Sequence, residues 1–258
     1  MRVIEQSWGD FWAYYWRIEH RHAIPGISDW DAQLVAFIEQ TCELQPGMRL
    51  LDLGCGGGDQ AALFAAREYD VLGLDIAPPL VAYARERSER EGLRGEFICD
   101  DMREIAFNGE FDAVLVLSGS FGFFGDEGDQ ALLCKITRAL KPGGRAFIMY
   151  LCPPARPRRE RSWRRVRQGL QLTEDWFDYE TSTSCGWIAI IQDDGTMLRP
   201  SSEPGYYTAD ERIRCHTVPE MRRMLSTAGL EPLGFYGREM ALEPTVETPR
   251  DIVVARRV

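Results

Sequence analysis

The chain has 258 residues, 45% hydrophobic and 27% charged, with a formal net charge of −10 at neutral pH. That size and balance suit one α/β domain carrying an insertion, and the acidic surplus argues against a general nucleic-acid binder, which needs a basic surface to neutralise phosphates. No window approaches the roughly 20 apolar residues of a membrane span, Met1 to Gln6 holds no leader-like apolar run, and seven scattered cysteines without a CxxC pair read as reduced thiols; the expectation is a cytoplasmic protein.

Residues 7–42 read as helical. The first part crowds Trp8, Phe11, Trp12, Tyr14, Tyr15 and Trp16, and Gly26 separates it from a second helix over 29–42 that Ser28 can cap. Pro46-Gly47 stops that helix. A strand over 49–53, a helix over 59–67, a strand over 71–74 and a helix over 78–90 follow, the last with Pro79 in its first turn. Strands over 96–99 and 111–117, a helix over 128–140, a turn at Pro142-Gly143-Gly144 and a fifth strand over 145–151 complete the alternation. Short apolar strands spaced by helices predict a parallel sheet covered on both faces.

From 152 to 217 the pattern changes to Pro, Arg, aromatic and β-branched stretches, and Asp193-Asp194-Gly195 marks a hairpin turn. A last helix over 219–228 stops at Gly229, and two closing strands fall near 231–236 and 251–256. The expected fold is a single α/β domain with a doubly wound, seven-stranded, mostly parallel sheet. Its parts are an N-terminal helical lid (1–46), a ligand-binding core (47–151), an antiparallel β insertion (152–217) and a closing helix with a β-hairpin (218–258).

Asp52 ends a strand, glycines stand at 54, 56 and 58, and a helix follows. Missing side chains let backbone approach a ligand, and the helix start offers unpaired N–H groups. The spacing argues against a dinucleotide. A GxGxxG run from Gly54 would need glycine at 59, where Asp59 stands, and Asp52 is ill-placed beside a pyrophosphate. A cationic or zwitterionic ligand suits these carboxylates better.

Leu51-Asp52-Leu53-Gly54-Cys55-Gly56-Gly57-Gly58 resembles the first motif of the class I S-adenosyl-methionine-dependent methyltransferases. Later segments resemble the family in order: Leu72-Gly73-Leu74-Asp75, Asp101-Met102, Phe111-Asp112-Ala113-Val114-Leu115 and Leu140-Lys141-Pro142-Gly143-Gly144. The resemblance implies a Rossmann-like methyltransferase fold with S-adenosyl-methionine as cofactor and S-adenosyl-homocysteine as product. It assigns Asp52, Gly54, Cys55 and Gly56 to the cofactor loop, and Asp75 with Ile76 to the ribose end, at the spacing a βαβ unit gives. Asp101 and Met102 would read adenine. Asp100 stands where the family usually has glycine, so either aspartate could face the base, with Asp101 favoured by register. Leu117 and Ser118 would lie near the methionyl part, and Trp12 and Tyr14 would close over the sulfonium from the lid.

The acceptor should meet the carboxyl edge of the sheet. Phe121 and Phe123 follow strand four there, and Trp187 and Tyr207 belong to an aromatic-rich insertion; these four are the expected substrate contacts, although Phe121, Phe123 and Phe124 could equally pack under the next helix. His216 and His20 are candidate general bases because imidazole titrates near neutrality, with Tyr15 beside them. His20 and His22 face apart on a helix, so no metal is expected. Arginines 156, 158, 159, 161, 164, 165 and 167 form a run that could dock an acidic carrier protein or an anionic substrate, or simply be solvated. Leu117-Ser118-Gly119-Ser120 replaces the Asn-Pro-Pro-Tyr-like motif of amide- and base-directed enzymes, which disfavours nucleic-acid and glutamine methylation. The expected activity is methyl transfer to oxygen or nitrogen of a small, natural-product-like acceptor. Methylation of an electron-rich carbon, another reaction on the same fold and a non-catalytic cofactor-binding module are the alternatives.

Overall fold

The computed structural model describes residues 1–7, 10–11, 14, 28–154, 159–166, 168–201, 211–242 and 249–258. Trp12, Tyr15, His20 and Tyr207 lie outside the described residues, as do Arg156, Arg158 and Arg167.

Five parallel strands form the centre of the main sheet: β2 (Arg49–Leu53), β3 (Asp70–Asp75), β4 (Gly95–Cys99), β5 (Phe111–Val116) and β6 (Leu140–Met149). Two antiparallel strands, β12 (Leu230–Tyr236) and β13 (Ile252–Arg257), close one side, giving the order β12-β13-β6-β5-β2-β3-β4. This is the expected doubly wound, seven-stranded sheet. Its central strands are apolar on both sides because both sides are covered.

Helices α1 (Asp29–Thr41), α2 (Asp59–Ala65) and α3 (Pro78–Glu91) supply Leu34, Ile38, Phe64 and Val81 to one buried layer. Helices α4 (Gly125–Ala139) and α5 (Val218–Ala228) supply Leu132, Ile136, Met221 and Leu225 to the other. Each fully buried side chain of this size contributes roughly 1.5–3 kcal/mol. The helix ends are set locally. Ser28 and Asp31 form a capping box on α1, Thr217 and Glu220 form one on α5, and Gly229 ends α5 at φ +83°.

The insertion is antiparallel as expected. β7 (Arg159–Val166), β8 (Gly169–Asp178) and β9 (Thr183–Gln192) run side by side, and β10 (Met197–Pro200) and β11 (Glu211–Arg214) share the far edge of β9. Gly195 turns between β9 and β10 at φ +82°. One strand was not anticipated. β1 (Val3–Gln6) pairs in parallel with β10, so the first residues of the expected helical lid are extended and belong to the insertion's sheet. Phe11 packs with Val166, Ile188 and Ile190 of the insertion. Among the described residues, no helix is long and apolar enough to cross a membrane.

Candidate active site

The glycine loop runs from the end of β2 into α2. Gly54 and Cys55 both donate to the Leu74 carbonyl, at 2.8 and 3.0 Å, which pins the loop to the end of β3. Gly54, Gly56 and Gly58 all have left-handed backbones, at φ +77°, +53° and +75°. Their surroundings differ. A Cβ at Gly54 would stand 2.8 Å from Ser120 Oγ, and one at Gly58 would stand 2.9 Å from the Phe97 ring, whereas one at Gly56 would meet nothing within 4 Å. Gly56 is therefore the point where the backbone faces open space. Cys55 turns its side chain into the core, where burial raises its thiol pKa well above the ordinary value, so only its backbone serves the loop.

Two carboxylates face this loop. Asp75 accepts the Gly56 N–H at 2.8 Å through one oxygen and the Ala77 N–H at 2.9 Å through the other. A carboxylate has about four acceptor positions, so beside its backbone bonds from Gly56, Ala77 and Ile76 it keeps one for a ligand hydroxyl. Burial raises the pKa of Asp75. Asp52 is 2% exposed, its Oδ1 has no hydrogen-bond partner among the described residues, and burial together with Asp75 pushes its pKa up to about 7. An unpaired buried carboxylate is costly. A cationic ligand group would relieve it.

The remaining predicted contacts divide. Ile76, 40% exposed, offers an apolar surface beside Asp75. The Met102 methyl would lie 3.4 Å from a Cβ at Gly54, so its side chain reaches the loop. Asp101 caps its own turn: its carboxylate accepts the Arg103 N–H at 2.8 Å and pairs with the Arg103 guanidinium at 2.8 Å. Asp100 accepts the Asp101 N–H at 2.8 Å. Asp59 pairs with Arg87 of α3, so its charge is spent away from the loop, and discrimination against a pyrophosphate rests on Asp52 and Asp75. Leu117 is buried, and Ser118 and Gly119 both have positive φ, +53° and +78°, while the Ser120 N–H donates to the Leu117 carbonyl at 3.0 Å. Two left-handed central residues are what a type I′ turn requires. A serine held there at the carboxyl edge of β5 marks a strained position.

Four expectations are corrected. His216 is not placed as a general base: it is 1% exposed, its Nε2 lies 3.0 Å from Asp129 Oδ2, and its ring packs on Phe121. Phe121 is fully buried in the layer under α4 and α5, so it is a core residue and not an acceptor contact. Tyr14 does not offer its hydroxyl to the cofactor; it donates to Gln168 Oε1 at 3.1 Å and accepts from Gln192 Nε2 at 3.0 Å, which fixes it to the insertion. Asp101 does not present a free carboxylate to adenine, because Arg103 engages both oxygens. Phe123 and Trp187 are half-buried, Trp187 on the face of β9 opposite Ile188 and Ile190. In the arginine run, Arg159 and Arg161 share Glu174 at 2.7 and 3.0 Å and Arg165 pairs with Asp193 at 2.7 Å, contacts with which an acidic partner would compete. Ser120 and Asp129 were not singled out in advance. An aspartate early in a helix reads as an ordinary dipole-favoured acid, and nothing local marks it as buried.

A family model described as a methyltransferase domain matches residues 50–144. The chain is 30% identical over 232 residues to the cypemycin N-terminal methyltransferase of a Streptomyces species, covering 86% of this chain and 88% of that protein. It is 38% identical over 109 residues to the demethylmenaquinone methyltransferase of Thermus thermophilus, over 41% of this chain and 48% of the relative, and so spans about half that relative's length. The solved sugar N-methyltransferase of a Streptoalloteichus species shares the fold, with a TM-score of 0.69 at 17% identity over 100% of this chain and 96% of the other. The chain belongs to the class I S-adenosyl-methionine-dependent methyltransferases. Its residues fit that cofactor: Asp52 supplies buried negative charge for a cationic group, Asp75 retains an acceptor position for a hydroxyl, and Gly56 leaves room beside both.

Proposed function

We propose that the protein transfers a methyl group from S-adenosyl-methionine to a heteroatom, oxygen or nitrogen, of a small natural-product-like acceptor, with nitrogen favoured. When bound, S-adenosyl-methionine supplies an electrophilic methyl on a sulfonium. The chain's own work is to bind it through the loop 54–58, hold Asp75 ready for a hydroxyl, and orient the acceptor at the carboxyl edge. The observation that carries the cofactor half is the orphaned Asp52 carboxylate beside Asp75 at an open glycine.

The preference for nitrogen rests on proton chemistry. An alcohol must lose its proton as it attacks, whereas a neutral amine attacks with its own lone pair and releases the proton afterwards. His216, one of the candidate bases, is committed to Asp129, which favours an acceptor that attacks without one; the other candidates, His20 and Tyr15, lie outside the described residues. The resemblance of fold to a sugar N-methyltransferase and the relationship to the cypemycin N-terminal methyltransferase support the same choice. The strained Ser118–Gly119 turn, in place of an Asn-Pro-Pro-Tyr-like segment, supports a small-molecule acceptor. This reading needs no metal ion, so a chelator should leave turnover unchanged. None of the seven cysteines is in a disulfide, which suits a reducing compartment such as the cytoplasm. If an acidic carrier delivers the acceptor, it must displace Glu174 and Asp193 from their arginines.

The test is a panel of amino sugars, peptides with free N-termini, alcohols, phenols and enol-type carbon nucleophiles, incubated with methyl-labelled S-adenosyl-methionine and read by mass spectrometry. A one-methyl gain on an amine supports the proposal. Gain only on carbon, or cofactor binding without transfer to any member, overturns it.

A further inference from the structure

His216 and Asp129 meet inside the protein, Nε2 to Oδ2 at 3.0 Å, with side chains 1% and 0% exposed. A buried ionisable pair is poor value as simple glue, since apolar side chains of similar volume often stabilise a core as well or better. Its neighbours point to another role. Asp129 Oδ1 accepts the Phe124 N–H at 3.3 Å, and the His216 ring lies against Phe121 with centroids 5.7 Å apart. Two residues before His216, the Arg214 N–H donates to the Gly122 carbonyl at 2.7 Å. Gly122 has φ +106°, and a Cβ there would stand 2.6 Å from the Arg214 carbonyl, so the two segments touch backbone to backbone. All of these contacts fall on residues 121–124, directly after the Leu117–Ser120 turn. None of these contacts is made by residues 54–58, which the turn itself meets through Ser120 at Gly54. Ser118 sits in a left-handed conformation that a non-glycine residue keeps only when its surroundings hold it, at a local cost of roughly 1 kcal/mol or more.

We propose that the His216–Asp129 pair is a positioning element. It clamps residues 121–124 to the segment that leaves the insertion, and so holds the Ser118–Gly119 turn in the shape that receives the acceptor. This rests on the proposed function and on the reading that the turn, which the family resemblance sets near the methionyl part, also faces the acceptor.

The test compares full-length wild type with Asp129→Asn, His216→Gln and the double variant Asp129→Leu/His216→Phe. Each is followed by amide hydrogen exchange, thermal unfolding and calorimetric titration with S-adenosyl-methionine. In the double variant the Phe124 and Arg214 amides should exchange about tenfold faster, while Tm and S-adenosyl-methionine affinity stay close to wild type. His216→Gln keeps a donor for Asp129 and should retain most of the protection; Asp129→Asn should lose part of it and carries the test if the double variant fails to fold. With any acceptor found by the panel, acceptor KM should rise about tenfold and the KM for S-adenosyl-methionine should not change. Wild-type exchange at Phe124 and Arg214, or acceleration spread evenly across β2 to β6 in step with a fall in Tm, overturns the proposal. The exchange arm needs no acceptor, so it stands or falls separately from the methyl-transfer reading.

Discussion

The Asp75 carboxylate takes the Gly56 N–H at 2.8 Å, tying the end of β3 to the one point of the glycine loop that faces open space. A single side chain thus shapes the loop while keeping an acceptor position for a ligand. Asp75→Asn removes the charge behind those hydrogen bonds. A charge-assisted bond is worth about 1.5–3 kcal/mol, so S-adenosyl-methionine affinity should fall on the order of 10–100-fold by calorimetry. An unchanged Kd would remove Asp75 from the cofactor site.

Asp52 predicts a pH dependence with opposite signs for stability and binding. Its folded pKa is raised from 3.8 to about 7, so the folded protein holds a proton that the unfolded chain releases in that window. The stability associated with protonated Asp52 is therefore fully present below pH 3.8 and is lost as pH rises to about 7. The effect is a few kcal/mol at order of magnitude. A cationic ligand favours the ionised form, so S-adenosyl-methionine affinity should rise with pH and level off above neutrality. Asp52→Asn should flatten both profiles, raise apoprotein Tm at pH 8 and weaken cofactor binding; profiles matching wild type would show that Asp52 does not titrate here.

Gly56→Ala and Gly58→Ala should fail in different ways. Both force an alanine into a left-handed backbone, at roughly 1–2 kcal/mol. At Gly58 the new methyl also meets the Phe97 ring at 2.9 Å, so thermal unfolding should show the larger drop in Tm. At Gly56 the methyl enters open space, so folding should survive and S-adenosyl-methionine binding should be lost. Equal binding losses per degree of Tm in the two variants would count against a ligand role for Gly56.

Tyr14→Phe deletes the hydroxyl that bridges Gln168 and Gln192. The expected outcome is a loss of up to about 1 kcal/mol in stability with no change in S-adenosyl-methionine Kd. A weakened Kd without a stability change would return Tyr14 to the cofactor.

The parallel core was legible because its signals are local and repeated. The strand over 49–53 and the helix after the glycines fall where apolar runs and glycine spacing put them. At β6 the predicted start of 145 is late, because Leu140 already pairs with Phe111 and Pro142-Gly143-Gly144 is accommodated as a register shift before Ala113 meets Arg145. The places of Asp52 and Asp75 were readable for the same reason: Asp75 ends β3 and Asp52 stands one residue before the end of β2. His216, Phe121 and Tyr14 were misread because their partners are distant in sequence. Asp129 lies 87 residues from His216, and Gln168 lies 154 residues from Tyr14. Arg103 captures Asp101 from only two residues away, but a charged neighbour gives no sign of which way it folds.

The pairing of β1 with β10 bears on how the chain reaches this structure. Glu5 and Arg199, 194 positions apart, form an ion pair beside the ladder that joins Val3 to Met197. Contacts so remote along the chain close a very long loop and are slow to form. During synthesis the first strand has no partner until residue 200 has emerged, so it waits while the central sheet can already assemble. A chain shortened before β10 also loses α5, β12 and β13, so both β1 and β6 are left as unpaired edges, and such edges associate with other chains.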